Sequence, residues 1–291
     1  MTPTRLQWRL PLAIAGLLLL VAGGMAALTY WQARHATIEA AEVRQRELVG
    51  QLAANVGANT HTLRQQTATL ASRPDVQNAA RHGNPEGLEA AFDALLQQST
   101  QGAGYALWTG RDAPLVRVET DDAPPANDDW AQYPDWASDA DPVMSPPRLA
   151  GGAGVFVIAA PVVAEGIRGG VLTARRLMGG PTTSSQMVAD LIGPGSRLLA
   201  GRAESGWIDL GRATAVGSAG ATPDGRAYRV SDAGVTYFGV TGPIADSGWS
   251  MRIERPWPDV IAPAQRLLWR LMAITGGVLL VGVAGGWWLS R

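Results

Sequence analysis

Val155-Phe156-Val157-Ile158-Ala159-Ala160-Pro161-Val162, then Glu165-Gly166-Ile167-Arg168-Gly169, then Gly170-Val171-Leu172-Thr173-Ala174-Arg175: this stretch reads as strand, turn and returning strand. Apolar and β-branched residues fill the two runs, and a polar, glycine-bearing turn separates them. Working back towards the N-terminus, Tyr105-Ala106-Leu107-Trp108-Thr109 and Leu115-Val116-Arg117-Val118-Glu119 predict a second strand pair around Gly110-Arg111-Asp112. Working forward, a connecting helix near Ser185–Ile192 precedes further strands at 197–200, 207–210, 228–230, 235–241 and 249–254. Pro256-Trp257-Pro258 ends the last of them. Helices followed by antiparallel strands, twice over, predict an α+β chain with two lobes.

The segment between the strand pairs is of another kind. Residues 121–147 hold seven aspartates and six prolines, which leave no regular element room to form. Trp130, Tyr133 and Trp136 are embedded there, and long loops that carry large aromatics are often binding loops or lids. The other reading, that these rings pin the loop to its lobe, stays open.

Upstream, residues 34–72 predict one long helix that stops at Pro74. Asn84-Pro85-Glu86 predicts the start of another, with an N-cap, a proline at the first position and an acid near the positive end. Leu52, Val56, Asn59, Leu63, Gln66 and Leu70 recur at alternating spacings of four and three, as in a heptad seam. That seam fits either a parallel homodimer stalk or a helix packed on its own domain.

At both ends the chain is apolar. No charge occurs from Leu10 to Ala33 or from Leu271 to Ser290, and about twenty helical residues span a bilayer core of roughly 30 Å. Trp8 and Trp31 flank the first run, and Trp269, Trp287 and Trp288 flank the second, as in an aromatic belt at the lipid headgroups. A cleaved signal peptide is the alternative for the first run, given Arg5, Arg9 and the small residues Ala22-Gly23-Gly24-Met25-Ala26, but the apolar run is long for one. Gly282 and Gly286 form a Gly-x-x-x-Gly, which serves close helix packing or reflects composition alone. Arginine counts on the two sides of each span are nearly balanced and do not fix orientation.

Composition narrows the functions. The formal net charge is −1, every basic side chain is arginine, and no basic stripe points to nucleic acid. With no cysteine there are no disulfides, thiolate metal sites or cysteine nucleophiles. His35, His61 and His82 are too widely spaced for one helical metal face, and no hydrolase, metalloprotease or phosphate-loop motif occurs. Asp121-Asp122 and Asp128-Asp129 do not match an EF-hand. No enzyme and no cofactor is implied.

Taken together, the layout resembles the double Cache class of bacterial extracytoplasmic sensor domains. Leu70-Ala71-Ser72-Arg73-Pro74-Asp75-Val76 is similar to that family's stalk-end turn. Ala159-Ala160-Pro161-Val162 with Gly169-Gly170-Val171-Leu172 resembles the central hairpin of its distal lobe. Pro243-Ile244 with Gly248-Trp249-Ser250-Met251-Arg252-Ile253-Glu254 resembles the last hairpin of its proximal lobe. The resemblance implies a long N-terminal stalk helix and two PAS-like antiparallel-sheet lobes, flanked by two transmembrane helices. The expected boundaries are a cytoplasmic N-terminus at 1–9, a span at 10–31, an extracytoplasmic sensor at 32–267 and a span at 268–289. Within the sensor, the stalk covers 32–72, the distal lobe 73–180 and the proximal lobe 181–258.

Many members clamp an amino acid or other carboxylate with an arginine-, tryptophan- and tyrosine-bearing stretch before the central hairpin. Here that stretch is Tyr133-Pro134-Asp135-Trp136-Ala137, in which the arginine is absent and an aspartate stands near its place. An acidic, aromatic site suits a cationic or amine ligand. Candidate ligand contacts are Tyr105, Trp108, Arg117, Trp130, Tyr133, Asp135, Trp136 and Phe156. The implied role is that of an inner-membrane receptor's sensory input, with the bulk of the chain periplasmic and the spans in contact with membrane lipid. An output domain would lie in a longer chain or a separate signalling partner. A ligand-free dimerisation module, or one that docks a periplasmic protein, is the alternative.

Overall fold

The computed structural model describes residues 4–98, 102–110, 113–121, 123, 141–178, 190–202, 204, 206–217 and 225–289, with backbone alone for 4–15, 18, 283 and 286–289. The chain divides into two units, one of residues 1–44, 233–236 and 256–291, the other of 45–232 and 237–255.

In the first unit lie the N-terminal part of α1 (Thr4–Ala71) and all of α4 (Trp257–Leu289). Among the described residues one stretch, Trp257–Gly282, is long and apolar enough to cross a bilayer, with a mean hydropathy of 1.2. It begins ahead of the predicted residue 268 because the helix starts directly after the last strand. Pro258 sits in the first turn, where its missing N–H costs nothing. The predicted span at 10–31 is helical throughout as part of α1, but its side chains at 10–15 and 18 lie outside the described residues.

In the second unit, α2 (Pro74–His82) and α3 (Leu88–Gln97) follow α1. Pro74 occupies the first position of α2, and Gly83, at φ 67°, closes its end by donating its N–H to Ala79 O at 2.9 Å. The expected helix start at Asn84-Pro85-Glu86 is instead a turn. Asn84 Oδ1 accepts the Glu86 N–H at 3.1 Å, Gly87 takes φ 80°, and the helix begins only at Leu88. The left-handed residue is what breaks the path that the proline would have started.

Twelve described strands form two sheets. The first comprises β1 (Gly102–Trp108), β2 (Val116–Glu119), β3 (Val143–Met144), β4 (Arg148–Ala150), β5 (Ala153–Ala164) and β6 (Ile167–Met178). Its order is β2-β1-β6-β5-β3, with β4 also paired to β5. The second holds β7 (Arg197–Arg202), β8 (Gly206–Asp209), β9 (Thr214–Val216), β10 (Ala227–Asp232), β11 (Val235–Ile244) and β12 (Trp249–Pro256), in the order β10-β11-β12-β7-β8-β9. Numbered within each lobe the orders are 2-1-6-5-3 and 3-2-1-6-5-4; with β3 and β4 taken as one strand and the edge strand β9 set aside, both reduce to 2-1-5-4-3, a PAS-like order. The α+β expectation holds, and the hairpin quoted at the outset is the β5–β6 pair, registered from Gly154↔Met178 to Ala164↔Ile167. The predicted connecting helix at Ser185–Ile192 falls largely on residues outside those described, apart from a helical turn at 190–192.

Alternation along β5 and β6 separates two apolar layers. On one face Tyr105, Leu107, Phe156, Ile158, Leu172 and Ala174 pack beneath α1, α2 and α3. The same cluster contains Ile244, Trp249 and Met251 of the second sheet, so the lobes share one core. Phe156 and Trp249 meet edge to face, with ring centroids 5.1 Å apart. The apolar members of the predicted seam, Leu52, Val56, Leu63 and Leu70, pack into this core, while Asn59 and Gln66 are exposed. The seam's leucines thus serve their own domain.

Helix α1 packs tightly on the second sheet at Gly242, where a Cβ would lie 2.4 Å from Val49 Cγ1. Gly242→Val is therefore expected to destabilise the full chain by about 1–3 kcal/mol. Urea denaturation in detergent micelles, followed by tryptophan fluorescence, checks this.

Candidate functional site

On the opposite face of the first sheet, the side chains come from the alternate positions of the same strands. Cross-strand register aligns Arg117, Ala106, Thr173 and Ala159 in one row. The next row holds Glu119, Gly104, Arg175 and Val157, and Arg148 lies opposite Val155 one step further. Ala106, Trp108, Val157, Ala159 and Val171 form the apolar floor.

The polar groups on this floor are fixed by one another. Trp108 Nε1 donates to Thr173 Oγ1 at 3.0 Å, and that hydroxyl donates to Ala106 O at 3.2 Å. The Arg117 guanidinium lies 5.5 Å from the centre of the Trp108 ring, a cation–π contact. Glu119 takes Arg175 at 2.9 Å and Arg117 at 3.8 Å. Gly104 makes room for this pair, since a Cβ there would lie 3.0 Å from Val118 O and 3.2 Å from Glu119 Cγ. Burial first, and the like charge of Arg175 second, disfavour the charged form of Arg148 and lower its pKa. The described charges on this face are three arginines and one glutamate, and guanidinium groups are the ones that pair with an anionic group.

Of the candidates read from the sequence, Trp108 and Arg117 meet on this face. Tyr105 and Phe156 point to the other one, into the core beneath the helices. Trp130, Tyr133, Asp135 and Trp136 lie outside the described residues. The sequence reading missed Glu119, Arg148, Thr173 and Arg175. The available signal was Arg175-Arg176 inside an otherwise apolar strand, since a buried charge needs a reason.

The corresponding face of the second sheet is differently furnished. Arg252, 1% exposed, stacks 3.7 Å from the Trp207 ring centre and 5.1 Å from that of Tyr228. Arg197 lies 4.1 Å over Tyr237 and pairs with Asp232 at 2.5 Å. Tyr228 donates its hydroxyl to Glu254 at 2.8 Å. Two arginines face two acids here, and aromatic rings fill the space between them. Burial holds the Glu254 carboxyl above its ordinary range, against the Tyr228 hydrogen bond and the positive fields of Arg252 and Arg197.

No protein-family model and no curated protein sequence matches the chain. Solved structures do. The extracellular domain of a protein described as a histidine kinase, rpHK1S-Z16, aligns at 17% identity with a TM-score of 0.56, covering 76% of this chain and 96% of that one. The sensory domain of the Campylobacter jejuni chemoreceptor Tlp3 with isoleucine bound aligns at 14% identity and a TM-score of 0.50, covering 79% and 97%. The same receptor's ligand-binding domain in complex with L-valine aligns at 15% identity and a TM-score of 0.50, also covering 79% and 97%. The fold is therefore that of extracellular sensory domains of chemoreceptors and histidine kinases, in keeping with the double Cache resemblance.

Glu119→Gln leaves Arg175 buried without its carboxylate. We expect a loss on the order of 1–3 kcal/mol, moderated because Glu119 is partly exposed, and recovery of most of it on adding Arg175→Met. Urea denaturation of the three variants measures the cycle.

Glu254 gives a pH signature of definite sign. Its folded form binds the proton more tightly than the unfolded form, whose pKa stays near the ordinary 4.5. Its contribution to stability therefore rises as pH falls towards that value and is lost as pH climbs through the raised folded pKa. Glu254→Gln is expected to flatten the urea midpoint between about pH 8 and pH 5 and to be at least as stable as wild type at neutral pH.

Proposed function

We propose that this chain is the sensory input module of a membrane receptor, and that the Arg117–Arg175 face of the first sheet takes the carboxylate of a small zwitterionic ligand. The supporting observation is the gathering of the Arg117, Arg148 and Arg175 guanidinium groups beside Glu119 and the Trp108 ring on one face. The acidic segment 121–141, in the same lobe by sequence, would supply the opposite sign for an ammonium group. This joins the amine preference read from the sequence to the arginines that the sheet collects.

In this reading the runs at 10–31 and 268–289 cross the inner membrane, the sheets lie on its outer side, and helix α1 continues out of the first span. The boundaries at 32–72, 73–180 and 181–258 then mark stalk, ligand-binding lobe and membrane-proximal lobe.

L-isoleucine or L-valine is expected to raise the melting temperature of the full chain in detergent micelles by a few degrees at saturation. Arg117→Gln should weaken binding about tenfold, while a simple alkylamine without a carboxylate should give no shift. Binding of the alkylamine with no response to Arg117→Gln would reverse the assignment. No shift with any amino acid would instead favour the interaction-module reading.

A further inference from the structure

Arg175 and Arg176 are consecutive on β6 and both buried, at 7% and 2% exposure. Strand alternation sends Arg175 to the face described above and Arg176 to the other. There Arg176 Nη2 donates to Tyr105 Oη at 2.5 Å, and its guanidinium lies 5.1 Å from the Tyr105 ring centre. Both groups sit in the wall of an open cleft of about 750 Å³ between α1, α3 and the sheet. That volume is in the range of small-molecule sites.

The rest of the lining shows what would fit. Amides come from Gln65, Gln66 and Gln98, and hydroxyls from Thr62 and Thr69. Arg73 stands at the cleft, already paired with Asp75 at 2.5 Å. No carboxylate occurs among the described residues that line it. A buried guanidinium with a ring of amides and hydroxyls matches one carboxylate on a hydroxylated carbon chain. Such a ligand offers both donors and acceptors to the glutamines and leaves few groups unpaired.

We propose that this cleft is a second ligand site, back to back with the first across β6, which takes a polyhydroxylated monocarboxylate such as a sugar acid. Arg176 holds the carboxylate, and the glutamines of α1 and α3 hold the hydroxyls. The site does not depend on the sensory reading, since it uses the other face of the sheet.

The test is calorimetric titration of the full chain in detergent micelles with gluconate, with sorbitol as the uncharged control. Gluconate is expected to bind, and sorbitol to fail. Arg176→Gln should weaken gluconate binding on the order of ten- to a hundredfold, and Arg175→Gln should leave it unchanged. Gln66 is exposed, so Gln66→Leu keeps the fold and should weaken gluconate binding several-fold. That variant decides the matter if Arg176→Gln does not fold. The proposal is overturned if gluconate does not bind, if sorbitol binds equally well, if Gln66→Leu leaves gluconate affinity unchanged, or if Arg175→Gln abolishes gluconate binding. Loss of valine binding in Arg117→Gln with gluconate binding intact would show the two sites to be separate.

Discussion

The β5–β6 pair is buried on both faces, and this constraint organises the rest of the domain. Each of its side chains must meet either the helices or the opposite floor, so apolar residues occupy nearly every position of Val155–Val162 and Val171–Ala174. A charge in such a strand is costly unless it is paired or stacked. Arg175 is paired with Glu119, and Arg176 is held by the Tyr105 hydroxyl and ring. Both arrangements answer the cost of burying a guanidinium, a cost that a leucine at the same position would not incur.

Topology alone does not set the two lobes apart as candidate ligand sites, because the sheets share one core order once β9 is set aside and β3 and β4 are taken together. Charge distinguishes them. The second sheet matches Arg197 with Asp232 and Glu254 with Tyr228, and it sandwiches Arg252 between Trp207 and Tyr228. Tyr228 fills space that a side chain at residue 239 would need, since a Cβ on Gly239 would lie 2.5 Å from its ring. That face is balanced and occupied by its own groups. Among the described residues the first sheet gathers three guanidinium groups and one carboxylate on the corresponding face, a set able to pair with an anionic group.

The sequence displayed the architecture more plainly than the site. Continuous apolar runs bounded by glycine turns placed β5, β6, β11 and β12 within a few residues, whereas β9 (Thr214–Val216) is too short to register and the two-residue β3 (Val143–Met144) falls within the 121–147 segment expected to hold no regular element. The seam on α1 was visible, but its periodicity could not say whether Leu52, Val56, Leu63 and Leu70 faced a partner or the chain's own sheets. The candidate site erred for a reason of parity. Tyr105 and Trp108 are three apart on one strand and must point to opposite faces, so they could never share one surface of a sheet. By contrast, the partnership of Glu119 with Arg175 depends on the β1–β6 crossover and on the bulge between Gly102 and Gly104, and single-sequence periodicity carries neither.

A sensory role also requires that the site be mechanically joined to an element leading out of the domain. The shared core supplies a contiguous link. Behind Arg175 and Thr173, Leu172 and Ala174 of β6 belong to the cluster that contains Phe156, and Phe156 abuts Trp249 at the start of β12. From Trp249 the strand runs to Pro256, and α4 follows without a loop. A second tie crosses the lobes at Arg64 of α1, which donates to Pro142 O at 2.7 and 3.1 Å and to Asp246 O at 3.0 Å. Pro142 stands at the end of the acidic segment and Asp246 in the turn before β12. One guanidinium therefore ties Pro142, at the end of the acidic segment, to the turn before β12. A packed core has discrete arrangements rather than continuous ones, so a shift of that segment would reach β12 as a change of packing and not as a gradual bend.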